Sequence, residues 1–356
     1  MHRRAFRSLP ILLLAATISG GARGADGEAE YRVSGPLASE NLAVYFIHGK
    51  SSPGSVPLTL QEAMATDSVR VYETGNVNEV AVENRGEEAV FIQAGDIVKG
   101  GKQDRSLTVS LVLPPHSERI PIASFCVEPG RWSQRGREDV QRFSSAAAAM
   151  PSREAKLAMK APAVAQSAAQ HDLASDPSHR PVAETRERQQ RVWDYVAGIN
   201  RELSNNLGTT RGPMPAPNSL QTALEDDKLK TAQQAYIDQL RPAGEKDPDI
   251  VGYVFAVNGR LNSGDVYASN ALFRKMWPKL LAASATEAIA SRGDTAAAAP
   301  SAEAVKAFVN AAEEGRASVT DLTPNARLET RETEEALYFA TAWADGRWVH
   351  RNYLAK

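Results

Sequence analysis

The chain has a single cysteine in 356 residues, Cys126. One thiol cannot close an internal disulfide, so packing must hold the fold together. Charge of one sign is also missing: 41 Lys and Arg stand against 43 Asp and Glu, a net charge of −2. That balance gives no electrostatic reason to expect nucleic acid or an anionic membrane as partner. No apolar run reaches the roughly 20 residues a membrane-crossing helix needs. The six histidines include no pair at metal-ligand spacing. There is no nucleophile elbow, no dinucleotide fingerprint and no fixed-period repeat, so no metal or cofactor is expected.

The longest apolar stretch, residues 9–18, follows His2, Arg3, Arg4 and Arg7 and precedes small residues up to Ala22-Arg23-Gly24. A basic start, a short apolar middle and a small-residue end make a signal peptide over residues 1–24, cleaved near Gly24. The expectation is an exported, periplasmic or secreted, soluble protein with no membrane span after cleavage.

What the sequence does have is an unusual loop. Gly95, Gly100 and Gly101 bracket Asp96, Lys99, Lys102, Gln103, Asp104 and Arg105. Glycines allow positive φ and close approach to the main chain. Backbone N–H groups beside Lys and Arg can cradle an anion. The phosphate-loop pattern fails, because Gly101 stands where Lys should and Gln103 follows Lys102. Leu107, Val109, Leu111 and Leu113 then alternate with Thr108 and Ser110, as in a strand with one apolar face. Pro114-Pro115 ends it. A second strand carries Ile120, Ile122 and Cys126, and Pro129-Gly130 leads into Arg131-Trp132. The candidate ligand-binding residues are Lys99, Gly100, Gly101, Lys102, Gln103, Arg105, Arg131 and Trp132, with the last two as a cationic and planar wall. The candidate acid–base residues are Asp104 and Glu128, with Asp96 beside them. Cys126 reads as a small buried hydrophobe. As a nucleophile it would need a base, and His116 would lie about 30 Å away along the strand, leaving His48 or His350 from elsewhere in the fold.

The strings AGDIVKGGKQDR, LVLPPHSERIPI and CVEPGRW resemble the ADP-ribosylglycohydrolase- and rhodanese-phosphatase-associated protein domain. The resemblance extends from Asn41 to Ile289. It implies a single domain and a link to ADP-ribose or nucleotide chemistry, and supplies no catalytic residues.

Along the chain, Leu42, Val44 and Phe46, then Val69 and Val71, then Val80 and Val82, mark short strands. Thr59 and Glu62 have capping-box spacing at the head of a short helix. Residues 144–181, rich in Ala, Ser, Gln and Pro, read as an exposed, partly mobile segment with some helix-forming character at residues 152–160. Val192, Val196, Ile199 and Leu203 form the stripe of an amphipathic helix. A second helix starts after Ser219 and stops at Pro242. Asn258-Gly259 signals a hairpin, Asp265 reads as a turn residue, and a helix follows to Ile289. A helix after Ser301 and a β-hairpin over residues 337–354 close the chain. The expected fold is α+β: a β-rich N-terminal sandwich or barrel-like sheet, a helical middle and a C-terminal β-hairpin. The organisation expected is a signal peptide (1–24), a main domain (25–291) and an extension (292–356). The expected function is binding of an anionic small molecule, nucleotide- or ADP-ribose-like, or of a protein partner, through the loop at 95–105. The alternative is a carboxylate-dependent hydrolase of a phosphorylated or ADP-ribose-type substrate.

Overall fold

Every residue of the strand Leu42–His48 is buried, because it runs through the middle of the structure with apolar partners on both faces. The computed structural model describes residues 31–131, 142–160, 180–208, 219–293 and 297–356. The signal-peptide reading and Trp132 lie outside them. Leu42–His48 (β2) pairs with β1 (Arg32–Ser39) on one side and β12 (Ile250–Val257) on the other. The sheet continues through β13 (Arg260–Tyr267), β17 (Trp348–Ala355), β16 (Ala336–Trp343), β15 (Ala326–Glu332) and β14 (Arg316–Thr323), all antiparallel. The C-terminal hairpin therefore joins the main sheet, and Tyr31–Lys356 forms one compact unit.

One face of this sheet presents Leu42, Val44, Phe46, Tyr253 and Phe255 to three helices: α3 (Arg180–Leu207), α5 (Asp227–Lys246) and α6 (Asn270–Ala290). Trp277 of α6 is the anchor, edge-on to Phe46 at 5.6 Å and to Tyr253 at 5.2 Å. The expected stripe of Val192, Val196, Ile199 and Leu203 is buried here. The opposite face, Ala43, Tyr45, Ile47 and Val254, packs on Val305, Phe308 and Val309 of α7 (Ala302–Glu313).

A six-stranded sheet has the order β11 (Phe143–Ala149), β7 (Asp96–Gly100), β8 (Arg105–Leu107), β10 (Ile120–Cys126), β5 (Glu79–Asn84), β4 (Val69–Glu73). Three short strands, β3 (Leu58–Thr59), β6 (Val90–Ile92) and β9 (Leu111–Leu113), form a small third sheet. The helix α1 (Leu60–Ala65) starts at the predicted capping box of Thr59 and Glu62. Among the described residues no helix is long and apolar enough to cross a membrane.

Four local expectations are corrected. Leu107 to Leu113 is not one strand: β8 and β9 belong to different sheets. Alternation fixes which side chains face inward, not which neighbour the backbone bonds, and Thr108 and Ser110 are buried as well. Residues 144–149 are part of strand β11, and residues 153–159 form the expected helix, α2 (Arg153–Met159); Ala146, Ala155 and Met159 are buried rather than exposed, and residues 161–179 lie outside the described set. The helix after Ser219 is two helices, α4 (Leu220–Leu224) and α5, because Asp226 caps a new start by accepting from Lys228 N–H. α5 also runs past Pro242, where Gly244 packs against Trp277. Asp265 is a buried mid-strand residue opposite Tyr253 rather than a turn. Its neighbour Gly264 is there for space: a Cβ would lie 2.6 Å from Val254 Cγ2.

Candidate anion-binding site

β7 and β8 form an antiparallel hairpin whose turn is the glycine loop. Gly100 and Gly101 have φ of +116° and +54°. A Cβ on Gly100 would stand 2.6 Å from the carbonyl oxygen of Arg142, and one on Gly101 would meet Glu73 Oε1 at 2.7 Å and overlap the Phe143 ring. The glycines thus admit the start of β11 against the loop, a close approach that no other residue permits.

Inside the loop the polar side chains turn toward one another. Asp104, Arg105 and Glu128 are fully buried, and Gln103 and Arg131 nearly so. Arg131 Nε donates to Glu128 Oε2 at 2.5 Å, and a terminal nitrogen donates to Asp104 Oδ1 at 3.3 Å. Asp104 Oδ1 also accepts the Gly100 N–H at 2.9 Å. Arg105 donates to the backbone oxygen and Oε1 of Gln103 at 3.0 and 3.2 Å and lies 3.7 Å from Glu73 Oε2. Lys102 donates its backbone N–H to Glu73 Oε1 at 2.9 Å. Burial pulls the Arg105 guanidinium below its ordinary value, with neighbouring Cys126, Glu73 and Asp104 opposing. The structure therefore gathers Gln103, Asp104, Arg105, Glu128 and Arg131 into one buried ion network. Carboxylate chemistry from Asp104 or Glu128 would first need their exposure.

Cys126 is buried, and burial pushes its thiol up. Its Sγ exchanges hydrogen bonds with the Glu128 backbone at 3.3 Å, and its own backbone is clasped by Gln189 of α3 at 2.9 and 3.0 Å. His48 pairs with Ser34 and Asp249, His116 with Glu87, and His350 with Asp265. The thiol is a packed small group, as its strand position predicts.

Lys99 departs from the network. Its amine pairs with Glu225 at 2.8 Å, and the residue lines an open cleft on the outer side of the loop. This cleft, about 360 Å³, is bordered by Met64, Val69, Phe143, Lys99, Gly100, Asp67, Arg70, Arg142 and Ser144. Asp67 sits just past α1 in the left-handed region at φ 56°, which Asp tolerates. There it faces three guanidinium groups: Arg85 at 2.9 Å, Arg142 at 3.1 Å and Arg70 at 3.4 Å. The Arg85 hydrogen bond above all holds its carboxyl below the usual value, with Arg70 and Arg142 adding to it. Among the described residues Arg70 Nε has no acceptor. Of the charged residues that border the cleft, Asp67 is acidic and Arg70, Lys99 and Arg142 are basic.

The sequence matches the ARG and Rhodanese-Phosphatase-superfamily-associated Protein domain over residues 30–354. The chain belongs to that family. The match takes in the C-terminal strands as well as the glycine loop, in keeping with the single compact unit. No curated protein and no solved structure matches.

In this ARG and Rhodanese-Phosphatase-superfamily-associated domain, Asp67, Arg70, Arg85 and Arg142 escape sequence reasoning because they come from three separate segments. Each alone looks like a surface charge. The one signal is Arg70 in β4 and Arg85 just past β5, which the pairing of Val69 with Asn84 brings to the same end of the hairpin.

Proposed function

We propose that this protein binds an anionic small molecule, of nucleotide or ADP-ribose type, in the cleft beside the glycine loop. The reading rests on one observation: Asp67 is shared by Arg70, Arg85 and Arg142, and two of these guanidinium groups, Arg70 and Arg142, border the cleft. Guanidinium groups suit phosphate oxygens in shape as well as charge. The cleft volume lies in the range of about 300–1,000 Å³ usual for small-molecule sites. Met64, Val69 and Phe143 offer an apolar wall for a ring, while Lys99 and Gly100 tie the cleft to the loop. The buried network of Asp104, Glu128 and Arg131 lies on the inner side and fixes the loop's shape.

Thermal-shift titration with ADP-ribose, mononucleotides and inorganic phosphate tests this. A ligand at about 100 times its Kd stabilises by roughly 2.7 kcal/mol. The shift should vanish in Arg70→Ala/Arg142→Ala. No shift with any of these ligands, or a shift unchanged in the double variant, rejects the reading. We also infer that the protein is exported, from the basic and apolar N-terminal residues. Intact-mass analysis of the mature chain should show it beginning near Ala25.

A further inference from the structure

A second polar cluster is built on other elements and runs as one chain of hydrogen bonds through the interior. Lys279 of α6 donates to Asp96 Oδ1 at 2.6 Å. Asp96 Oδ2 accepts the backbone N–H of Gln93 at 2.9 Å. Gln93 Nε2 donates to Asp265 Oδ1 at 3.1 Å, and its Oε1 accepts the Tyr267 hydroxyl at 2.5 Å. The same Asp265 oxygen accepts from His350 Nε2 at 2.9 Å and from Asn352 Nδ2 at 2.8 Å. Asn352 Oδ1 then accepts from the Lys160 amine. Six ionisable side chains, none more than 8% exposed, share this network.

The two lysines are held differently. Lys279 touches a carboxylate directly. The Lys160 amine meets an amide oxygen and the face of the Phe339 ring, 4.1 Å from its centroid, while Asp265 stands behind Asn352. The placement is set by α3: Arg188 caps the last carbonyls of α2, those of Ala158 at 3.2 Å and Met159 at 2.5 Å. The chain leaves the helix at Lys160 and its side chain enters the interior. Burial, with no counter-ion in contact among the described residues, pulls the amine down to about 7, with Asp265 opposing and Lys156 adding to the fall. Much of Lys160 is then the neutral amine at neutral pH, with its lone pair available. Burial also lowers the His350 ring below its ordinary value. Burial pushes the Asp265 carboxyl up, but the His350 hydrogen bond and the lysines outweigh it, and the net shift is downward. An ionised carboxylate only accepts, so His350 Nε2 carries the proton and Nδ1 the lone pair.

A structural role alone accounts poorly for this arrangement, because a buried amine without direct pairing lowers stability. Groups kept at a cost to stability gather at functional sites. We propose that Lys160 is a nucleophilic amine that forms an imine with a small aldehyde or ketone, with the Asp265–His350 pair as proton relay. Nζ attacks the carbonyl carbon and the C–N bond forms. The two hydrogens of the neutral amine leave with the carbonyl oxygen as one water, and the C=N bond remains. Its limited exposure restricts Lys160 to compact carbonyl compounds. The site is independent of the cleft that holds Arg70 and Arg142.

The test treats the full chain with glycolaldehyde at pH 7, traps imines with cyanoborohydride and maps the adducts by peptide mass spectrometry. Lys160 should be labelled at least tenfold faster than the exposed Lys50 and Lys228, and His350→Gln should slow this labelling at Lys160 alone. Lys160→Met should melt at the same or a higher temperature than the parent protein. Labelling of Lys50 and Lys228 with Lys160 untouched would overturn the proposal. So would a fall of several degrees in the melting temperature of Lys160→Met, which would mark the amine as a structural member of the core. Should His350→Gln fail to fold, Asn352→Asp supplies the second variant: a carboxylate in contact with the amine should keep it charged and reduce its labelling, and unchanged labelling would count against the neutral nucleophile.

Discussion

A Cβ on Gly100 would lie 2.6 Å from the carbonyl oxygen of Arg142. This one distance explains why β11, a strand of small side chains with little hydrophobic pattern, lies where it does: the glycine loop leaves room for its backbone. Gly100→Ala should therefore destabilise the protein by about 2–4 kcal/mol, combining backbone overlap with a φ that L side chains avoid. A Cβ on Gly198, in α3, would meet nothing within 4 Å among the described residues. Gly198→Ala should stabilise by about 0.5–1 kcal/mol. Urea unfolding of the two variants checks the contrast.

Arg131 holds Asp104 and Glu128 together. Its removal leaves two carboxylates buried without that guanidinium. Arg131→Ala should cost about 3–5 kcal/mol, the usual range for breaking a buried pair from one side. Differential scanning calorimetry would read the loss. An effect below about 1 kcal/mol, typical of surface pairs, would mean that the network does not shape the loop.

Asp67 competes with any anionic ligand for Arg70, Arg85 and Arg142. Asp67→Asn should tighten binding of ADP-ribose or phosphate by roughly two- to tenfold and steepen its dependence on salt. Isothermal titration at two ionic strengths checks both effects.

Stability should depend on pH through two buried groups. Lys160 falls from 10.5 to about 7 on folding. Between those values the unfolded chain holds more protons than the folded one, so stability rises with pH across that window, by an amount on the order of a few kcal/mol. Lys160→Met should flatten the rise. Glu287 shifts the other way. Burial raises it above 4.5, against the pull of Lys156 and the hydrogen bond from Asn262. Its contribution is complete below pH 4.5 and is lost as pH climbs through the folded value. Glu287→Gln should remove that loss and be neutral or stabilising at pH 7. Urea midpoints measured from pH 4 to pH 10 separate the two effects.

Much of the fold is legible in sequence wherever one face of an element is apolar and the other is not. The α3 stripe and the strand at residues 79–84 have that asymmetry; the Thr59–Glu62 cap and the Asn258-Gly259 hairpin are read from local turn chemistry, and the strand at 42–48, buried on both faces, from its continuous apolar run. The hairpin of β14 and β15 lacks it. Most of its residues are exposed or half-buried on both faces, so its apolar alternation is weak. β11 lacks it too, being made of Ser and Ala after Phe143. The loop residues Gln103, Asp104, Arg105, Glu128 and Arg131 stand out by composition, but composition does not say that they face one another.

The sequence by itself determined the α+β class, the absence of disulfide support, most helix starts and the packing role of Cys126. These depend on local propensity, periodicity and residue count, which are written into neighbouring positions. Only the tertiary structure decided that the glycine loop closes on its own charges, that three distant arginines share Asp67, and that Lys160 reaches Asn352 beside the Asp265–His350 pair. Those relations join residues separated by tens to hundreds of positions, and chain geometry rather than local pattern brings them together.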